Sequence, residues 1–289
     1  MMLPLSQAHF TLLSTCDRKY QYVFLEALSG PATTEQQLTT QWGTQFHLLM
    51  QQRALNLPVE VLAKSNAEMV TSMTALEQAA PDIFEYLSAA AAAAERTSGQ
   101  AFSQSEHRRT LAFNGYLLTV VYDLLVYSSE AGQIFDWKTH QHPPRRQWLQ
   151  ADWQTRLYLY VLAETTDLKP EQLSMTYWFV RLSDHLAPEP ASEKRSAEPA
   201  QPTAYRFDYS AVQHLRTQQD LQQLTDRPTR MRQQDNFPKV DVAKGLCDHC
   251  PFNVRCDRLP TTAPLPATPY QLLQSASQIT VDRIDEIPL

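Results

Sequence analysis

The stretch "GQIFDWKTHQ", residues 132–141, sets an acid and a lysine two residues apart inside an apolar, aromatic run. Side chains alternate across a strand, so residues two apart share a face. Phe135 and Trp137 then go to one face, and Asp136 and Lys138 to the other. Two opposite charges on one face of a core strand are either a local ion pair, contributing roughly 0–1 kcal/mol, or half of a catalytic centre. The segments on either side decide between these.

Upstream, 102–113 and 116–128 read as strands of a hairpin turning at Asn114-Gly115, a favoured two-residue turn. The second, "YLLTVVYDLLVYS", carries Asp123 in apolar company. "SSEAG" turns the chain again into a strand over 133–138, which places Asp123 and Asp136 side by side on adjoining strands. Two carboxylates about 4 Å apart repel by about 4 kcal/mol at a protein's effective dielectric. A divalent cation reverses that sign, and oxygen ligands at this density suit Mg2+ or Mn2+. A nearby lysine can orient a water or offset charge on a phosphoryl oxygen. Acid, acid and lysine are a minimal set for metal-assisted phosphodiester hydrolysis.

The remaining chain is mostly helical at first. Residues 4–28 read as one helix with Pro4 in its first turn, ended by Gly30-Pro31. A second helix over 34–56 carries Trp42, Phe46, Leu49 and Met50, with His47 among them. Pro58 and Pro81 punctuate two further helical segments, the second holding an alanine run at 88–95, and Gly99 closes this part. After the central strands come a helix over 149–164 and a β-prone strand over 172–182. The expected order is therefore αβββαβ. Residues 183–203 are rich in Pro, Ala and charge and read as a flexible insertion. A strand at 205–210, a polar helix at 211–225 and a cysteine-bearing segment at 247–256 follow, then a Pro- and Thr-rich tail over 260–289.

At 289 residues and 43% hydrophobic, the chain has material for a sizeable core. Its net charge of −6 argues against a basic coat and tight non-specific nucleic-acid binding. Local basic stretches at 106–110, 142–148 and 226–234 leave room for a groove, though each by itself is more often a solvated face. No run is long and apolar enough to span a membrane, and the start lacks the features of a signal peptide. A soluble cytoplasmic protein is expected. Four cysteines occur: Cys16, and Cys247, Cys250 and Cys256 in a C-x2-C-x5-C spacing. Four thiolates suffice for structural Zn2+ or for a cubane cluster.

Taken in order, Gly43 to His47 ("GTQFH"), Asp123, Asp136-x-Lys138 and Gln154-x3-Tyr158 ("QTRLY") resemble the RecB-like branch of the PD-(D/E)XK nuclease superfamily. The αβββαβ order is similar to that family's α/β core. The cysteine pattern, with "LSTCDRKYQYVFLE" around Cys16, resembles its iron–sulfur subgroup, which includes CRISPR-associated RecB-like exonucleases and the AddB nuclease domain. The resemblance covers about residues 5 to 258. It implies one nuclease domain over 1–259 with a helical insertion at 58–100. It further implies that Asp123, Asp136, the Trp137 carbonyl and His47 hold Mg2+ or Mn2+, and that Lys138 positions the attacking water. Gln154 and Tyr158 would touch DNA or brace the site, and Glu106 would be an auxiliary carboxylate. Cys16, Cys247, Cys250 and Cys256 would hold a [4Fe–4S] cluster. Two positions depart from the family pattern: Val120 stands where a glycine is usual, and Asp136 where glutamate is frequent.

The implied activity is a metal-dependent deoxyribonuclease, an exonuclease on single-stranded DNA or DNA ends, in repair, recombination or defence. A helicase or another protein is an implied partner. Two rivals belong to other classes. One is a non-catalytic iron–sulfur subunit that holds a DNA end or a nuclease partner; the other is a zinc-clipped regulatory protein.

Overall fold

The computed structural model describes residues 2–29, 34–59, 66–86, 102–139, 143–180 and 201–258. The alanine run at 88–95, nearly all of the 183–203 segment and the 260–289 tail lie outside these. The chain divides into two compact units, Met1–Pro238 and Lys239–Leu289.

The first unit begins with β1 (Leu3–Leu5), where a helix was expected. Leu3, Pro4 and Leu5 pair in parallel with Tyr116, Leu117 and Leu118, and burial of Leu5 outweighs Pro4's suitability for a helical first turn. The remainder of that expected helix is also broken. α1 (Gln7–Thr15) stops at Cys16, whose backbone is extended, before α2 (Asp17–Tyr20) and a wider π turn over Gln21–Leu25. α3 (Thr34–Ala54) and α4 (Ala67–Ala79) follow, and 81–86 is also helical.

β2 (Phe102–Phe113) and β3 (Tyr116–Tyr127) form the expected hairpin. Asn114 and Gly115 both have positive φ, 46° and 80°, as a twist-matched two-residue turn requires. β4 (Gly132–Lys138) returns antiparallel to β3, and α5 (Arg146–Ala151) and α6 (Trp153–Glu164) cross over to β5 (Leu173–Phe179), parallel to β4. β6 (Thr203–Asp208) closes the far edge antiparallel to β5. α7 (Ala211–Gln233) runs two turns beyond the expected 211–225, straight through Pro228. Its buried Leu221, Leu224 and Met231, with Arg227 forked onto the Asp17 carboxylate, outweigh the helix bond Pro228 removes.

This is a mixed α/β fold around one six-stranded sheet. One apolar cluster joins the sheet to α1, α6 and α7; another joins α3 and α4 to Leu124, Val126, Phe135 and Trp137. β3 organises the sheet. One of its edges pairs with β2 along nearly its whole length. Its other edge is shared, β1 taking Tyr116–Leu118 and β4 taking Leu124–Tyr127. Residues 119–123 face a window between those two partners. Among the described residues no helix is long and apolar enough to cross a membrane.

In the second unit, 239–258 is a string of tight turns. A 3-10 turn over Val242–Lys244 ends at Gly245 in the left-handed region, φ 66°. The Cys250 N–H then bonds the Cys247 carbonyl at 3.1 Å, setting those two cysteines one turn apart. Arg258 donates to the Val240 carbonyl at 2.6 Å and points at Cys247 Sγ from 3.6 Å. None of the four cysteines is in a disulfide.

Candidate active site

The window in β3 is where the sheet's own bonds run out. The β3–β4 ladder ends at Leu124↔Phe135, so the next rung would set Asp123 opposite Asp136. Backbone groups freed by a ladder's end must find other partners when buried. Trp137 N–H donates to Asp123 Oδ2 at 2.7 Å, and the Trp137 carbonyl accepts from His47 Nε2 at 3.1 Å. Site side chains thus replace the missing strand, with both acids at its mouth.

On the α6 side, the Asp136 carboxylate is held from two directions. Gln154 Nε2 donates to its Oδ2 at 2.5 Å, while Lys138 Nζ sits 2.6 Å from Oδ1. That ammonium is the partner of the buried Oδ1, so each carboxylate oxygen is engaged by one donor. Gln154 Oε1 accepts from Lys138 Nζ at 2.8 Å, which makes its amide a bridge between the two charges. The bridge forms because Asp152 caps α6 by accepting from Gln154 N–H at 2.7 Å, fixing where the first turn begins. Tyr158, one turn on, is buried and touches the Gln154 side chain. Its backbone carbonyl accepts from the Tyr122 hydroxyl at 3.0 Å.

On the α3 side, His47 Nδ1 lies 3.4 Å from Asp123 Oδ1 and 3.9 Å from Glu106 Oε1. His47, Glu106 and Asp123 each offer a ligand atom, all within 4.8 Å of one another. Gly43 explains how α3 comes so near: a Cβ there would stand 3.0 Å from Thr139 Oγ1, just beyond the end of β4. Glu106 faces Asp123 at the rung missing between Ser105↔Leu124 and His107↔Tyr122. Its φ of 50° is left-handed, a strain of order 1–3 kcal/mol for a residue other than glycine.

The electrostatics follow from this crowding. Burial, then repulsion from Asp123, pushes Asp136 up to about 7, with Lys138 opposing. Burial, then Asp123, also raises Glu106. Burial acts to lower His47, but the hydrogen bond and charge of Asp123, with Asp136 and Glu106 adding, raise it overall. The site is short of positive charge. A buried carboxylate with one ammonium beside it, a second carboxylate across the rung and an imidazole beside a third fit a divalent cation.

The structure gathers His47, Glu106, Asp123, Asp136, Trp137, Lys138, Gln154 and Tyr158 around one window. Val120, in place of the family's usual glycine, is core beneath α6. One neighbour lies outside the sequence reading. The Tyr177 ring packs 5.2 Å from Lys138 Nζ, and the Tyr177 hydroxyl bonds Thr155 Oγ1 at 2.8 Å. Only the parallel register Asp136↔Tyr177 puts it there, and no local pattern in β5 announces it.

A family model for the PD-(D/E)XK nuclease superfamily matches residues 4–257. No curated protein matches the chain. Similar solved structures include a candidate exonuclease from Eubacterium rectale, 12% identical, covering 95% of this chain and 93% of its own, TM-score 0.44. Another is SSO0001, 10% identical, covering 88% and 85%, TM-score 0.36. Both scores are below 0.5, so it is the family match, over nearly the whole length, that assigns the chain. The chain belongs to the PD-(D/E)XK nuclease superfamily.

Proposed function

We propose that this window hydrolyses phosphodiester bonds of DNA, acting on single strands or ends as a metal-dependent exonuclease. The observation that carries the reading is the unpaired rung, where Asp123 faces Asp136 and Lys138 lies 2.6 Å from the second acid. Asp123 and Asp136 would hold Mg2+ or Mn2+, with His47 and Glu106 on the α3 side. The Trp137 carbonyl keeps one lone pair beyond its bond to His47. A divalent cation there supplies Lewis-acid activation of the phosphoryl group and offsets the acids' repulsion.

The chain's own groups do the rest. Lys138 Nζ, fixed by Gln154 Oε1 and by the Tyr177 face, orients the attacking water and donates to a phosphoryl oxygen as charge builds. Gln154 keeps acid and lysine in register, and Tyr158 supports Gln154 from below. We further propose that Cys16, Cys247, Cys250 and Cys256 hold a [4Fe–4S] cluster. Support comes from their count and spacing and from the Arg258 N–H aimed at Cys247 Sγ.

Digestion of end-labelled single-stranded and duplex DNA with Mn2+ or Mg2+ tests the activity. Wild type is expected to release short products, and Lys138→Ala to be slower by about 10²- to 10³-fold with an unchanged melting temperature. Intact DNA with cluster-loaded wild type would favour a non-catalytic binding subunit. Iron, sulfide and zinc analysis of anaerobically purified protein tests the cluster. About four irons per chain is expected, and one zinc without iron would refute it.

A further inference from the structure

Between the strand bearing Lys138 and the helix bearing Gln154, α5 leaves Trp148 64% exposed. It is the one aromatic among the large hydrophobic side chains left exposed in the described residues. Local structure holds it there: Trp148 N–H donates to the Arg145 carbonyl at 2.9 Å, and the Arg145 guanidinium stacks over the indole at 5.3 Å. Arg146 is stacked 4.8 Å from the Phe207 ring and donates to the Arg206 carbonyl. Among the described residues, no carboxylate pairs with either arginine.

The next turn shows the structural use of the same chemistry. Arg156 covers Trp153 at 4.2 Å, but Trp153 is buried and Asp220 neutralises Arg156. Trp148 stays exposed beneath Arg145, and among the described residues no carboxylate neutralises its arginines. The platform is also wired to the site. The carbonyl of Leu149, beside Trp148, accepts from Thr155 Oγ1 at 2.5 Å; Thr155 bonds the Tyr177 hydroxyl, and the Tyr177 ring supports Lys138.

We propose that Trp148, flanked by Arg145 and Arg146, is a stacking platform for a base of single-stranded DNA, which it leads to the Asp136–Lys138 centre. This rests on the nuclease reading only for where the strand goes. An exposed ring with uncompensated positive charge complements a nucleobase joined to a phosphate, and unpaired strands offer free base faces where duplexes do not.

The test is fluorescence anisotropy with a labelled single-stranded oligonucleotide and its abasic counterpart, without added divalent metal. Trp148→Ala and Trp148→Phe are compared with wild type. Bis(4-nitrophenyl) phosphate, which has no base to stack, reports the intact centre when Mn2+ is supplied. Stacking predicts that Trp148→Ala binds the normal oligonucleotide roughly 5- to 150-fold more weakly. Trp148→Phe should recover most of that, and the abasic strand should bind wild type and Trp148→Ala alike. Small-ester hydrolysis and melting temperature should not move. Equal affinity of Trp148→Ala and wild type would overturn the platform, as would an equal loss on the abasic strand. Loss of small-ester hydrolysis would also overturn it. DNA cleavage indifferent to Trp148 would sink the platform and leave the nuclease reading standing. Trp148-dependent binding by a wild type that cleaves nothing would do the reverse.

Discussion

At the scale of single residues, the site is a repulsion waiting for a cation. Asp123 is the side chain where this is most easily relieved by one atom. Its Oδ2 accepts from Trp137 N–H, and its Oδ1 faces His47 Nδ1. In Asp123→Asn, the amide oxygen can keep the first bond while the amide nitrogen donates to a neutral imidazole. The variant is expected to melt higher than metal-free wild type, by about 2–4 °C for each kcal/mol of relieved repulsion. It should also lose both activity and stabilisation by Mn2+. A melting scan with and without Mn2+ checks this, and a drop in the metal-free melting temperature would contradict it. Gln154→Met keeps the side chain's length but cannot bridge Asp136 and Lys138. It should lower kcat by about 10- to 100-fold through misplacement of Lys138, read from steady-state kinetics with KM little changed.

At the scale of elements, two contacts set how the helices reach the sheet. Gly43→Ala improves helix propensity by about 1 kcal/mol, yet its Cβ would meet Thr139 Oγ1 at 3.0 Å. α3 then has to move by a few tenths of an ångström, taking His47 with it. Stability should hold while activity falls, and Gly43→Ala combined with Thr139→Ala should restore it. The second contact is the start of α1, where Ser6 N–H donates to His9 Nδ1 at 3.1 Å and the ring stacks on Phe24 at 3.6 Å. Burial lowers His9 to about 4. The unfolded chain takes up a proton below about 6.5 while the folded chain does not until about 4. Folding stability is therefore whole above 6.5 and erodes as pH falls towards 4. Denaturation midpoints across that range should fall less steeply in His9→Leu.

These elements also show what the sequence could reveal. That Asp136 and Lys138 share a strand face, and that Asp123 lies on the neighbouring strand, needs only strand period and a hairpin turn. His47, Gln154 and Tyr158 stand out only through the order of motifs that resembles the family. Asn114-Gly115 located the hairpin by its own turn preference. β1 was misread as helix, because its strand character comes entirely from Tyr116–Leu118, over a hundred residues away. Glu106 could be named as a carboxylate on the right strand, but its left-handed φ follows from the missing rung opposite Asp123. Tyr177 was invisible, since its place beneath Lys138 depends on a parallel register set across the α5–α6 crossover.

At the scale of the molecule, the sheet makes the site by withholding a partner. β1 and β4 divide one edge of β3 and leave a window, and α3 and α6 reach it from opposite faces. A cation bound there at about 100 times its dissociation constant should stabilise the fold by about 2.7 kcal/mol. Chelation should reverse this. The central claim is that Asp123 and Asp136 share one cation within reach of Lys138. Anomalous scattering from a manganese-soaked crystal tests it most directly. The predicted result is a peak about 2.0–2.4 Å from an oxygen of each aspartate. A peak that touches neither Asp136 oxygen, or none at the window at saturating Mn2+, would contradict it.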